Sequence, residues 1–241
     1  GAQLARQLID QNEIGDIKLG VINFAFPGVQ SFHPNPESWF KKGGGPVIDM
    51  GPYYFTALVN MLGPVESVSA MVSRSGERIA TSDAMKGQIL RVEVNTHVTG
   101  LLKFKSGPII TCAMSFDVFC HECPHIQIHG TEGSMTVPDP NTFQGPVKLA
   151  KSNKEGFEEL PYNTVYHNNW RSLGVADMAE SLNEDYPHRA SGELAYHVLD
   201  VMLSLEESAE QKKELEVKST CKRPLAMPAS KLTGSSLTTK V

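Results

Sequence analysis

The sequence predicts an α+β domain, a large, open and mostly antiparallel β-sheet with helices packed on one face. Three observations predict it. Segments rich in β-branched and aromatic residues follow one another through the middle of the 241-residue chain. Short turn signals, such as "KSGP" (Lys105–Pro108) and "GTEG" (Gly130–Gly133), join them, and strands joined this way pair antiparallel. Helical patterns frame this run instead of alternating with it, which argues against repeated βαβ units. The uncovered sheet face would then need a partner, such as a second copy of the chain.

The elements are read in order. "GAQLARQLIDQNEIGDIK" opens inside a helical pattern, with Leu4, Leu8 and Ile9 at helical spacing and Gly15 placed to close it. Residues 17–26 read as a strand. "PGVQSFHPNPESWFKKGGGP" is a long loop, and its Phe32, Trp39 and Phe40 argue that it is ordered. Residues 53–62 read as a helix with Tyr54, Leu58, Met61 and Leu62 on one face, ended by Gly63-Pro64. Strands are expected at 65–72, 89–105, 109–118, 125–129 and 134–137, with a turn at 151–156. Helices return at 175–183 and 192–211, the second N-capped by Ser191. A last short strand is expected at 214–219, and residues 229–241 form a polar tail behind a single domain of residues 1–228.

Composition narrows the function. The net charge is −5 and no Lys/Arg stripe is visible, which speaks against a nucleic-acid partner. No window reaches the roughly 18 apolar residues of a membrane helix. The four cysteines lack the spacing of a disulfide framework, so a reducing cytoplasm is the simpler location. The start inside a helix suggests a chain that begins partway through a larger protein.

Five motifs carry possible chemistry. Asp49 and Tyr53 are four apart, so a helix starting near Asp49 would project both from one face at its N-terminal end, where a negative charge is favoured. A phenol beside a carboxylate can move a proton or orient a hydroxyl. Asp49 as a simple N-cap with a packed Tyr53 fits the spacing as well. Gly43-Gly44-Gly45 lacks the ending of a phosphate loop and suits close backbone approach. "CHECPHIQIH" (Cys120–His129) contains one CxxC and three histidines, but no second ligand pair for zinc. His121 there could instead meet a sugar hydroxyl. "VYHNNWRSLGVADMAE" gathers His167, Asn168, Asn169, Trp170 and Arg171 before a helix, which suits a polyol or an ordinary loop-to-helix junction. His188 and Arg189 precede the last helix, and anchoring it is their default role.

Taken together, "ARQLIDQNEIGDI", "GGGPVIDMGPYYFTALVNMLGPVESVSAM", "IQIHGTEGSMTVPDPNTF" and "RSLGVADMAESLNEDYPHRASGELAYHVLDVM" resemble the C-terminal domain of the Gfo/Idh/MocA oxidoreductases. The family takes its name from glucose–fructose oxidoreductase, inositol dehydrogenase and MocA. The resemblance implies an α+β domain of the glyceraldehyde-3-phosphate dehydrogenase C-terminal kind, preceded in the intact protein by a Rossmann domain that binds NAD or NADP. It implies hydride transfer to or from a sugar, polyol or related hydroxy compound, and a homodimer or tetramer formed through the open sheet face.

The same resemblance assigns residues. Asp49 matches the Asp of the family's "DxGxH", and Tyr53 stands where many members have His, as in the glucose–fructose branch. A Tyr has a reference pKa near 10 and needs a nearby cation to act near neutral pH. The family's Lys, from an "EKP" motif in the Rossmann domain, is absent here. Asp49 and Tyr53 are therefore expected to be catalytic. His33, Trp39, Gly44, Gly45, His121, His167, Asn168 and Trp170 are expected to line a substrate pocket. No cofactor-binding or metal-binding residue is expected in this chain, and these 241 residues alone are expected to be inactive as a dehydrogenase. The alternative is a non-catalytic module that dimerises through its sheet.

Overall fold

Helix α1 (Ala2–Asp10) and strand β1 (Ile17–Ala25) lead into the 27–45 loop and then into helix α2 (Pro46–Leu62). The structure is a computed structural model and describes residues 1–151, 155–161, 166, 168, 170–184 and 186–228. The expected tail at 229–241 lies outside the described residues, as does part of the expected turn at 151–156.

After α2 come β2 (Val65–Ser73), β3 (Arg78–Ile79), β4 (Ile89–Leu90), β5 (His97–Phe104) and β6 (Ile109–Ser115). Then follow β7 (Ile126–Gly130), β8 (Gly133–Val137), β9 (Lys148–Lys151) and β10 (Glu158–Glu159). Helices α3 (Leu173–Glu184) and α4 (Gly192–Gln211) and the short β11 (Leu215–Glu216) complete the described chain. Among the described residues, nine strands form one sheet in the order β10-β9-β8-β7-β1-β6-β5-β2-β11, while β3 and β4 pair separately. The one parallel pair among these strands is β1 with β6. The domain is thus α+β with a large, mostly antiparallel sheet.

The sheet has two unlike faces. Val98, Leu102, Ile110, Cys112, Met114, Ile126 and Ile128 are fully buried and meet the apolar sides of α2 and α4. Burying such side chains contributes roughly 1.5–3 kcal/mol each. The other face carries Leu19, Met71, Leu101 and Ile109, exposed by 51, 80, 48 and 47%. Cross-strand register puts them on a common face: Leu19 lies opposite Ile109, Leu101 opposite Thr111, and Met71 opposite Thr99.

Several boundaries move. The helix expected at 53–62 begins at Pro46, because Gly45 (φ +94°) turns the chain and Pro46 at the first helical position needs no N–H partner. Pro52 is absorbed inside it, and Gly51 lets α2 approach α4, where a Cβ would lie 2.6 Å from Met202 Sδ. The strand expected over 89–105 is two strands. Residues 91–96 between them turn to the loop, with the Glu93 N–H on Phe40 O (2.8 Å) and its carboxylate on Lys41. The strand expected at 109–118 stops at Ser115, and the 125–129 strand runs from Ile126 to Gly130. Only Leu215–Glu216 of the expected last strand pairs, against β2. Strands β6 and β7, consecutive in the chain, are separated by β1, which pairs with both. The strands β3, β9 and β10 carry no clear alternation. Ser191 caps α4 as expected, its Oγ accepting from Leu194 N–H at 3.2 Å.

A second, smaller core of Val29, Phe40, Ala80, Leu90 and Phe116 holds the long loop. Arg78 clamps it, donating to Pro27 O (2.9 Å), pairing with Asp117 and lying over the Phe40 ring. This fixed loop forms one wall of the candidate site.

Candidate active site

Asp49 sits in the first turn of α2 and Tyr53 one turn later, so the helix projects both from one face. They line a cavity of about 400 Å³ together with Phe24, Phe26, Phe32, His33, Trp39, Met50, Asp139, Asn141 and Arg171. β1 supplies the first aromatic, the clamped loop supplies Phe32, His33 and Trp39, and the segment after β8 supplies Asp139 and Asn141.

The polar groups are fixed by their neighbours. Burial pushes the Asp49 carboxyl above its ordinary range, partly opposed by a hydrogen bond donated from the Trp39 indole. Trp39 is in turn held by the His33 ring, 4.2 Å between centroids. His33 Nδ1 accepts from Asn35 N–H at 3.0 Å, which leaves its proton on Nε2. Arg171 donates to Asn141 Oδ1 (2.8 Å) and Asn141 O (3.2 Å). Its guanidinium lies 5.6 Å from the Tyr53 ring centre, with Nη1 3.5 Å from the phenol oxygen. A cation therefore stands beside Tyr53 within this chain. Among the described residues no carboxylate ion-pairs with Arg171.

Behind Tyr53, the Tyr54 phenol is fully buried and bonds His125 Nδ1 at 2.9 Å. Burial first, and then the neighbouring Asp139 carboxylate, push this phenol well above its ordinary range.

Of the expected site residues, the structure brings together His33, Trp39, Asp49 and Tyr53. Gly44 and Gly45 stand behind the cavity wall. Gly44 packs on the Trp39 backbone, where a Cβ would meet Trp39 O at 2.4 Å, and Gly45 starts α2. His121 is in the segment between β6 and β7, with its ring against His125 and its buried Nδ1 without a partner among the described residues. Asn168 is exposed, and Trp170 stacks edge-on with Tyr166 outside the cavity. His167 lies outside the described residues. Cys120 and Cys123 are exposed and free, and among the described residues no cluster of three or more His, Cys, Asp or Glu could hold a metal.

Asp139, Asn141, Tyr54, Phe24, Phe26 and Phe32 were not marked as site residues by sequence reasoning. "DPN" reads as a turn, and nothing local says that it faces Tyr53 across the fold. A larger cavity, about 720 Å³, lies at the start of α4 beside residues 220–225. Its arginines are already engaged: Arg189 with Asp177 and Ala226 O, Arg223 with Asp10 and Asn60 O. The smaller cavity, with its carboxylate, phenol and guanidinium, holds the usable chemistry.

A family model described as the GFO/IDH/MocA C-terminal domain matches residues 2–136. The chain belongs to this family. Solved structures agree in fold. An NAD binding oxidoreductase from Klebsiella pneumoniae aligns at TM-score 0.72 and 20% identity, covering 89% of this chain and 62% of that one. An aldose-aldose oxidoreductase from Caulobacter crescentus, complexed with glycerol, aligns at 0.67 and 19%, covering 88% and 59%. A levoglucosan dehydrogenase in complex with NADH and L-sorbose aligns at 0.73 and 20%, covering 90% and 63%. The chain thus spans less than two thirds of the length of each of these structures. No curated protein matches the sequence significantly. Among the described residues no helix is long and apolar enough to cross a membrane.

Proposed function

We propose that this chain is the substrate-binding and oligomerising part of an NAD- or NADP-dependent oxidoreductase acting on a sugar, polyol or related hydroxy compound. One observation carries this reading. Asp49 and Tyr53 face one cavity that Trp39 also lines, and Tyr53 is flanked by Arg171. Family membership supports the reaction class. The glycerol and L-sorbose complexes of structures with the same fold support the substrate class.

In this mechanism Asp49 accepts a hydrogen bond from the reacting hydroxyl and orients it. Tyr53, as the phenolate, takes up the hydroxyl proton and becomes a neutral phenol, and Arg171 stabilises the phenolate charge before that transfer. Phe24, Phe26, Phe32 and Trp39 give apolar walls for C–H faces and keep water out. A nicotinamide dinucleotide, when bound, supplies the hydride acceptor. The described glycine loop does not fit its phosphates. Gly44 N–H donates to Lys41 O, Gly45 N–H to Trp39 O, and Asp49 N–H to Gly45 O, so these amides are spent. Holding the dinucleotide thus falls to a nucleotide-binding domain in the intact protein. The four free cysteines accord with a cytoplasmic location.

Titration of the chain with glycerol, L-sorbose and related polyols, followed by NMR, tests the cavity. Resonances of Trp39 and Tyr53 should shift on saturation, and Asp49→Asn should weaken binding by roughly 1.5–3 kcal/mol, the worth of a hydrogen bond to a charged group. Shifts confined to other surfaces would refute the site.

The open sheet face favours the oligomerising half of the proposal, since exposed contiguous apolar surface marks interaction sites. Leu101→Lys with Ile109→Lys should turn a dimer or tetramer into monomers in light scattering. A wild-type chain that is monomeric at every concentration would remove this part and leave the cavity untouched.

A further inference from the structure

We propose that the cavity at the start of α4 binds a small organic phosphate, a phosphate monoester with a sugar-sized body. The proposal stands apart from the oxidoreductase reading, because this cavity shares no lining residue with the one that holds Asp49 and Tyr53.

Two segments build the site. One brings His188 and Arg189 up to Ser191, the N-cap of α4, and the other is residues 220–225. Both arginines are anchored from behind. Arg189 has its backbone N–H (2.7 Å) and Nη1 on Asp177 and its Nη2 on Ala226 O (3.1 Å). Arg223 has its Nε on Asn60 O (3.0 Å) and its Nη1 on Asp10 Oδ1 (2.7 Å). The guanidiniums are therefore in place before a ligand arrives, which lowers the ordering cost of binding.

The charge around the cavity is not balanced. Asp10 answers Arg6 as well as Arg223, with Arg6 Nε on its Oδ2 at 2.7 Å. Lys222 is exposed on the wall and ion-pairs with no carboxylate among the described residues. Lys105, also without such a pair there, donates to Thr220 Oγ1 on the wall at 3.0 Å. The wall's own carboxylate, Glu193, lies exposed in the first turn of α4. A chain of net charge −5 thus gathers cations at this point.

A second observation is independent of charge. Arg189 Nε and Arg223 Nη2 are buried and have no hydrogen-bond partner among the described residues. Buried donors are normally paired, and an unpaired one is costly. Here both belong to residues of one cavity wall, and an acceptor settling against that wall would satisfy them.

A phosphate monoester suits this set. It carries about −1.5 to −2 charge near neutral pH and three strong acceptor oxygens, so it can answer several cations where a carboxylate answers one. The cavity, about 720 Å³, lies within the roughly 300–1,000 Å³ of small-molecule sites and leaves room beyond the phosphate. The hydroxyls of Ser191 and Thr220 suit the hydroxyls of a sugar, and Pro187, Pro224 and Leu225 suit its C–H faces.

The test is titration of the chain with glucose 6-phosphate, inorganic phosphate and glucose, followed by NMR. Glucose 6-phosphate should shift the amides of 220–223 and the His188 ring and saturate. Inorganic phosphate should bind about tenfold more weakly, and glucose should leave these signals unmoved. Lys222→Glu reverses an exposed charge and should weaken glucose 6-phosphate binding by about tenfold, the scale of one close charge interaction near a surface.

Four results would overturn the site: no shift with glucose 6-phosphate, an equal response to glucose, equal affinity for inorganic phosphate, or unchanged affinity in Lys222→Glu. The first three need no variant. Trp39 and Tyr53 resonances report the other cavity, so failure here leaves the oxidoreductase reading standing.

Discussion

Tyr53 and Tyr54 stand side by side on α2, yet Tyr53 opens onto the cavity and Tyr54 is closed off behind it. The difference comes from helix geometry alone, since adjacent residues point about 100° apart. On the cavity side, Asp49 and Tyr53 keep polar atoms free to meet a ligand, with neighbours that orient them. On the core side, Gly51, Tyr54, Phe55 and Leu58 fill space against α4 and the sheet. One helix is therefore both the scaffold and the site, and its two faces should respond to different experiments.

The largest stability effect belongs to the core face. Tyr54→Ala removes a fully buried ring and should cost about 3–5 kcal/mol in urea unfolding, whereas Tyr53→Ala should cost about 1 kcal/mol. Equal losses would break the distinction between the two faces.

A smaller effect concerns acid, and it too belongs to the core. His197 is buried, its Nε2 accepting from Val65 N–H (2.9 Å) while Nδ1 bonds Ser219 Oγ (2.9 Å). Burial lowers its affinity for a proton, against a weaker opposing pull from Asp200. Below about pH 6.5 the unfolded chain therefore binds more protons than the folded one. The stability this site contributes is complete above that value and declines as pH falls through it. In His197→Gln the decline in chemical-denaturation midpoint over that window should be shallower. An unchanged slope would show that other groups control acid sensitivity.

Much of this architecture was legible in the sequence, for identifiable reasons. The strand run with its short turns gave the α+β class, and Ser191 marked the start of α4 correctly. The four-residue spacing of Asp49 and Tyr53 placed them on one helix face, because periodicity is a local property. Placement of β1 between β6 and β7 was not legible, since long-range pairing leaves no local signal. The 89–105 segment kept strand composition throughout, yet its middle is claimed by Phe40 and Lys41 of the loop. The cavity shows the same limit. Trp39 and His33 were marked through the family resemblance, but Asp139, Asn141 and the Arg171 guanidinium reach Tyr53 only through tertiary folding. Gly44 and Gly45 were expected at the substrate and instead shape the turn that starts α2.

The central claim is that Asp49 and Tyr53 act on a substrate hydroxyl. The most direct measurement is steady-state turnover of a polyol or sugar with NAD or NADP, in the protein carrying its nucleotide-binding domain. Asp49→Asn and Tyr53→Phe should each lower kcat by about 10²–10⁴-fold, with little change in the KM for the dinucleotide. Turnover near wild type in both variants would contradict the account.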